Sequence, residues 1–300
     1  MRIGINATGG VRTLDELVAA AAEAEAAGFD SFWIAQIFGL DALTALAVTG
    51  RSVGRIELGT AVVPTYPRHP MMLAGQALTT QSAVGDRLAL GIGLSHQIVV
   101  ESLWGYSYAK PLRHMREYLE ALLPLLRGES VAVTGEDLTC IGSLDIPGPS
   151  APPVIIAALG PKMLELAGST GCGTITWCTG ERTLLDHVVP SITRAAEAAG
   201  QPAPRVVAGL PICVTDDPDA ARALIAEQLA MYGELPSYRA MLDREGAAGP
   251  ADVAIVGTEA EVAAALARLD DGGVTELSAV IAAPTPQDRQ RTWDLLVDSL

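Results

Sequence analysis

Lysine is almost missing from this chain. It occurs only at Lys110 and Lys162, and 20 basic residues face 35 acidic ones for a formal net charge of −15. No window gathers a basic cluster. A nucleic-acid partner is therefore excluded, because neutralising phosphates needs a basic face. The acidity itself reads as a device for solubility. Cysteine is scarce too: Cys140, Cys172, Cys178 and Cys213 are the four, and no pair has CxxC spacing. They read as reduced thiols of a cytoplasmic protein, not as disulfides or metal ligands. No uninterrupted apolar run reaches the ~18 residues of a membrane span. The opening MRIGINATGG has one arginine and no long apolar core, so no signal peptide is expected. HExxH, GxSxG and phosphate-loop patterns are absent, and so is metal-ligand spacing; no metal is expected.

What is present is a rhythm. Hydrophobic residues make up 49% of the 300 positions, enough for a large core. Glu57 to His96 shows the pattern best. Residues 56–63 form a short β-branched run, as a strand buried on both faces would. Pro64, Pro67 and Pro70 then predict a loop, Met71 to Val84 a helix, and Leu88 to Ile92 a second strand ending in Ser95-His96. Strands are also expected at 2–6, 31–35, 154–158, 173–178, 205–214 and 274–281, with Pro211 interrupting the seventh. Thr13 with Glu16 and Thr258 with Glu261 read as capping boxes, and Asp41 as a helix cap. Pro124 should kink or split a helix starting at Leu112, and Pro190 should bend or break another. Eight strands alternating with helices predict one α/β domain over 1–300, a (β/α)8 TIM barrel. Insertions fall at about 128–153, a hairpin, and 232–256, one or two short helices. A doubly wound sheet would favour a GxGxxG after the first strand, and NATGGVR is not one.

In a barrel, function sits at the C-terminal ends of the strands. After the fifth strand comes Leu159-Gly160-Pro161-Lys162-Met163. Glycine permits close approach, proline at the first turn leaves other N–H groups free, and the helix dipole favours an anion. The same residues also read as an ordinary proline-initiated helix. His96 suits proton transfer near neutral pH, or simply belongs to a polar loop. Tyr66 could face the pocket as a donor. His69 is read as ordering its loop, while His114 and His187 are read as surface residues. Trp177 fits core packing as well as a site, and Cys178 has no adjacent base to make it a nucleophile.

LGTAVVPTYPRHP, followed by a helix and DRLALGIG, resembles the third and fourth strands of the bacterial luciferase-like monooxygenase superfamily. GTEAEVAAALARLDDGGVTEL near the end resembles the same family. The likeness points to the branch that uses coenzyme F-420, an 8-hydroxy-5-deazaflavin. It implies a non-proline cis peptide at Ala61-Val62 behind the cofactor ring and cofactor phosphate on the 159–163 turn. Thr179 would be a second phosphate contact, with Gln36 and Ser95 beside the cofactor. Deazaflavin-dependent sugar-phosphate dehydrogenases of this family carry Asp-His where this chain has Gln36-Ile37, so oxidation of a sugar hydroxyl by that mechanism is not expected. The implied function is an oxidoreductase passing hydride from reduced F-420 to an electron-poor small molecule, with His96 or Tyr66 as proton donor. Two alternatives stay open: an FMN-dependent two-component monooxygenase needing a reductase partner, and a catalytically inactive cofactor-binding barrel. The resemblance also implies a homodimer, with Leu43, Leu46, Met72 and Leu73 as candidate contacts.

Overall fold

A computed structural model describes residues 1–300. Its fold class is the expected (β/α)8 barrel, built on one ten-stranded sheet whose barrel strands run parallel. The strands are β1 Arg2–Asn6, β2 Ser31–Ile34, β3 Glu57–Thr60, β4 Val63–Pro64, β5 Leu88–Gly93, then a separate hairpin β6 Val131–Thr134 and β7 Thr139–Gly142. β8 Val154–Ile156, β9 Gly173–Trp177, β10 Val206–Val214, β11 Ile255–Gly257 and β12 Glu276–Ile281 complete the set. Helices α1 Leu14–Ala27, α2 Ala42–Thr49, α3 Pro70–Ala83 and α4 Pro111–Leu126 belong to the first half of the chain. In the second half are α5 Pro161–Ser169, α6 Glu181–Thr183, α7 Val189–Ala198, α8 Pro218–Glu234, α9 Pro236–Glu245, α10 Glu259–Asp271 and α11 Pro286–Asp298. No helix is long and apolar enough to cross a membrane.

The chain divides into two compact units. One comprises residues 9–22 and 34–157. In it β5 pairs with β3, β4 and β8, all parallel. The expected third strand is in fact two pieces, broken at Ala61-Val62, which are joined by a cis peptide bond. Two glycines of β5 make room for this break. A Cβ on Gly91 would lie 1.8 Å from the Thr60 carbonyl oxygen, and one on Gly93 2.6 Å from Val62 Cγ2. Asp41 caps α2 through the Thr44 N–H, and Thr13 with Glu16 forms the capping box before α1. Pro124 does not split α4, because it falls within the last turn and only one late hydrogen bond is lost. The hairpin of β6 and β7 is held by Glu117 of α4, whose carboxylate accepts the N–H groups of Glu136, Asp137 and Leu138. Leu43, Leu46 and Leu73 are buried; of the candidate dimer contacts only Met72 is exposed, at 58%.

The other unit comprises residues 1–8, 23–33 and 158–300. β1 pairs with β2 and β12, β12 with β10, and β10 with β9 and β11. Pro211 does not interrupt β10. It keeps its place opposite Val280, so only its own missing N–H is lost. The helix expected from Glu181 is interrupted by a π-helical turn at Leu184–Val188, and Pro190 sits in the first turn of the α-helix that resumes after it. Residues 232–256 hold the end of α8, all of α9 and a 3-10 turn, Pro250–Val253, and run into β11. Thr258 and Glu261 form their capping box. At the N-terminal ends of the strands Glu276 is fully buried. Its carboxylate takes the Ser31 hydroxyl, the Trp33 indole N–H and the Arg205 guanidinium.

Candidate active site

In the first unit the residues after β2, β4 and β5 form a tied set. The Gln36 N–H donates to the Val62 carbonyl at 3.1 Å. Its side-chain oxygen accepts from Arg68 at 2.9 Å and from the Ala42 N–H at 3.1 Å. Arg68 also pairs with Asp41 at 2.6 Å, and its carbonyl accepts the Tyr118 hydroxyl. Gln36 thus fixes the loop carrying Tyr66, and only its amide NH2 is left to offer donors. His69 orders this loop as expected. Its Nδ1 accepts from the Met71 N–H, so Nε2 carries the proton that meets the Thr139 carbonyl at 2.9 Å.

Tyr66 stacks on His114 with ring centroids 4.0 Å apart and planes within 5°. The Tyr108 ring lies 5.6 Å away and the Tyr106 ring 6.4 Å. His114 is therefore half-buried in a ring stack and not the free surface residue expected. Its Nε2 meets the Thr65 hydroxyl at 3.0 Å, and burial holds its pKa below the ordinary imidazole value. The Tyr66 hydroxyl is buried and has no hydrogen-bond partner. Burial also raises the pKa of this phenol well above its usual value, so it stays a donor at neutral pH. An unpaired buried O–H is costly unless a ligand completes it.

Ser95 and His96 follow β5. Ser95 adopts a left-handed φ of 61°. The His96 carbonyl accepts the Val99 and Val100 N–H groups, which starts a π-helical turn at Val99–Leu103. The His96 ring is partly buried, and that burial lowers its pKa. It is neutral near pH 7 and poorly suited to act as an acid there.

The second unit carries the Leu159–Met163 turn. No side chain caps α5. Both the Met163 and Leu164 N–H groups turn back to the Gly160 carbonyl, at 3.0 Å each. That leaves the preceding N–H groups, with the positive end of the helix dipole, facing outward. A Cβ on Gly160 would meet nothing within 4 Å, so the space beside the turn is open. Lys162 is exposed next to it. This arrangement fits an anionic group such as a phosphate. Thr179 is fully buried, and its hydroxyl donates to the Trp177 carbonyl at 3.2 Å. The N–H groups that follow, at Arg182 and Thr183, are taken by the Glu245 carboxylate. Trp177 packs edge-on against Tyr232, and its indole N–H has no partner.

His187 was also expected on the surface, yet it is 6% exposed and its Nε2 lies 2.9 Å from the Leu159 carbonyl. The sequence did hold a signal: Leu184, Val188 and Ile192 form a helical stripe, and His187 sits beside it. His114 likewise neighbours the stripe of Met115, Tyr118 and Leu122. All four cysteines are free and buried, and no cluster of potential metal ligands occurs.

Known proteins place this arrangement. The pattern describing the luciferase-like monooxygenase family matches residues 1–276. A Mycobacterium tuberculosis protein named, provisionally, as a coenzyme F-420-dependent oxidoreductase is 34% identical over 239 residues, covering 72% of this chain and 67% of that protein. The 5,10-methylenetetrahydromethanopterin reductase of Methanolobus tindarius is 28% identical over 284 residues, 92% of this chain and 84% of the relative. Among solved structures, the coenzyme F-420-dependent tetrahydromethanopterin reductase of Methanopyrus kandleri superposes with a TM-score of 0.83 at 20% identity, covering 100% of this chain and 98% of its own. The chain belongs to the luciferase-like monooxygenase family of oxidoreductases, and several of its relatives there carry coenzyme F-420 in their names.

Proposed function

We propose that this protein uses reduced coenzyme F-420 to reduce an electron-poor small molecule, such as an activated alkene, imine or carbonyl compound. When bound, the coenzyme would supply a hydride; the protein binds, orients and shields. The turn at Leu159, Gly160, Pro161, Lys162 and Met163 holds the coenzyme phosphate, through outward N–H groups and the nearby Lys162 charge. Ala61 and Val62 back the ring, and the Gln36 amide and Ser95 contact it. Thr179 supports the turn after its strand.

The observation that carries the reductive direction is the Tyr66 phenol, buried, unpaired and held protonated. Adding hydride to an alkene or carbonyl leaves an anion that needs a proton. A phenol in its O–H form can give one to so strong a base as the carbanion or alkoxide left by hydride, even though burial makes it a weaker acid. His96, kept neutral by burial, is the weaker candidate acid. Ile37 stands where a catalytic histidine would be needed to oxidise a sugar hydroxyl.

The test is anaerobic turnover of reduced coenzyme F-420 with a panel of enones, imines and ketones. The expected result is oxygen-independent oxidation of the coenzyme by at least one acceptor. Tyr66→Phe should lower kcat by about 100-fold, the low end of general-acid effects, while coenzyme affinity holds within about twofold. Turnover that requires oxygen would move the assignment to the flavin monooxygenase reading. An unchanged kcat in Tyr66→Phe would remove Tyr66 as the donor.

A further inference from the structure

We propose that His187 is a positioning residue for the phosphate turn, holding the Leu159–Gly160 peptide so that the Gly160 N–H faces the bound anion. The inference rests on the reading that this turn takes the coenzyme phosphate. His187 lies in the π-helical turn Leu184–Val188, which α5, β9 and α6 separate in the chain from the turn it touches. Its Nε2 is 2.9 Å from the Leu159 carbonyl oxygen. A carbonyl can only accept, so Nε2 carries the proton and the tautomer is fixed.

The consequence follows from peptide geometry. In a planar trans peptide the C=O and the N–H point in opposite directions. The Leu159 C=O and the Gly160 N–H belong to one such unit. Aiming the C=O at His187 aims the N–H away from it. Donation to the carbonyl also polarises the peptide and strengthens its N–H as a donor. The first N–H groups of α5 have no capping side chain, and the space beside Gly160 is open. His187 therefore acts on the anion without touching it.

The π-helical turn explains how the histidine gets there. Each residue in an α-helix advances by about 100°, so one extra residue in a turn rotates the next side chains by that amount. π-turns are frequent at functional sites. Here the turn sets His187 at 6% exposure beside the apolar stripe of Leu184, Val188 and Ile192.

The test compares two ligands, oxidised coenzyme F-420 and its phosphate-free deazaflavin riboside, by tryptophan fluorescence titration. His187→Leu removes the donor. It should raise the Kd of the full coenzyme about tenfold, the scale of one charge-assisted hydrogen bond, and leave the riboside Kd within about twofold. The same loss should appear in KM for the coenzyme and not in kcat. His187→Gln, whose amide NH2 reaches the same place, should restore binding; His187→Asn, which falls short, should not. His187→Asn also serves if the leucine variant does not fold. Equal weakening of both ligands, or no change for either, overturns the proposal. Wild-type protein that binds the riboside as tightly as the full coenzyme would instead refute the phosphate turn itself.

Discussion

At the scale of single residues, burial sets the chemistry of this protein. His96 and His114 both have pKa values lowered by burial. On acidification the unfolded chain takes up protons near pH 6.5, before the folded one does. Stability should therefore fall as pH drops below about 6.5. Urea unfolding between pH 7 and pH 5 should show it, and His114→Phe should lessen the slope by up to about one proton while keeping an aromatic ring against Tyr66. A slope that His114→Phe leaves unchanged would contradict the assignment. The cysteines are governed the same way. Burial pushes the Cys172 and Cys213 thiols up to about 11, and Cys178 higher still. A thiol-exchange reagent at pH 8 should label none of the four cysteines in the folded protein and all of them after unfolding.

At the scale of elements, close approaches decide which substitutions the strands tolerate. A Cβ on Gly91 would meet a backbone oxygen at 1.8 Å, whereas one on Gly93 would meet the end of the Val62 side chain at 2.6 Å. The backbone cannot step aside as a side chain can. Gly91→Ala should therefore cost more than Gly93→Ala, about 3 kcal/mol or above against roughly 1, measured by denaturant midpoint; the reverse order would show that β5 moves freely. Glu117→Ala should free the hairpin of β6 and β7 from α4 and cost about 2 kcal/mol, since one carboxylate serves three N–H donors. Local hydrogen exchange at residues 136–138 would report it.

Much of this was legible in the chain. The capping boxes at Thr13 and Thr258, the cap at Asp41 and the hairpin all involve near neighbours, so pattern alone finds them. The roles of His187 and His114 were not legible. Their partners, Leu159 and Tyr66, lie 28 and 48 positions away in sequence, and only the folded register joins them. The untroubled prolines have a simpler cause. Pro124 meets its helix where few bonds remain, and Pro211 gives up one donor within a long, well-paired strand.

At the scale of the whole molecule, a buried polar network and the proposed site occupy different ends of the strands. Glu276, Ser31 and Trp33, all fully buried, and the Arg205 side chain, 20% exposed, form a hydrogen-bonded group at the N-terminal ends. Glu276→Ala would strand the Arg205 charge and should cost about 3–5 kcal/mol, read as a lower melting temperature, with coenzyme affinity of the folded fraction unchanged. The candidate site residues lie at the opposite, C-terminal ends. The central claim concerns what those residues bind. The most direct measurement is a titration of the protein with oxidised coenzyme F-420 and, separately, with FMN, followed by tryptophan fluorescence. Micromolar or tighter binding of F-420 with FMN at least about tenfold weaker, a difference of about 1.4 kcal/mol, is the predicted result; FMN preferred over F-420, or neither bound, would contradict it.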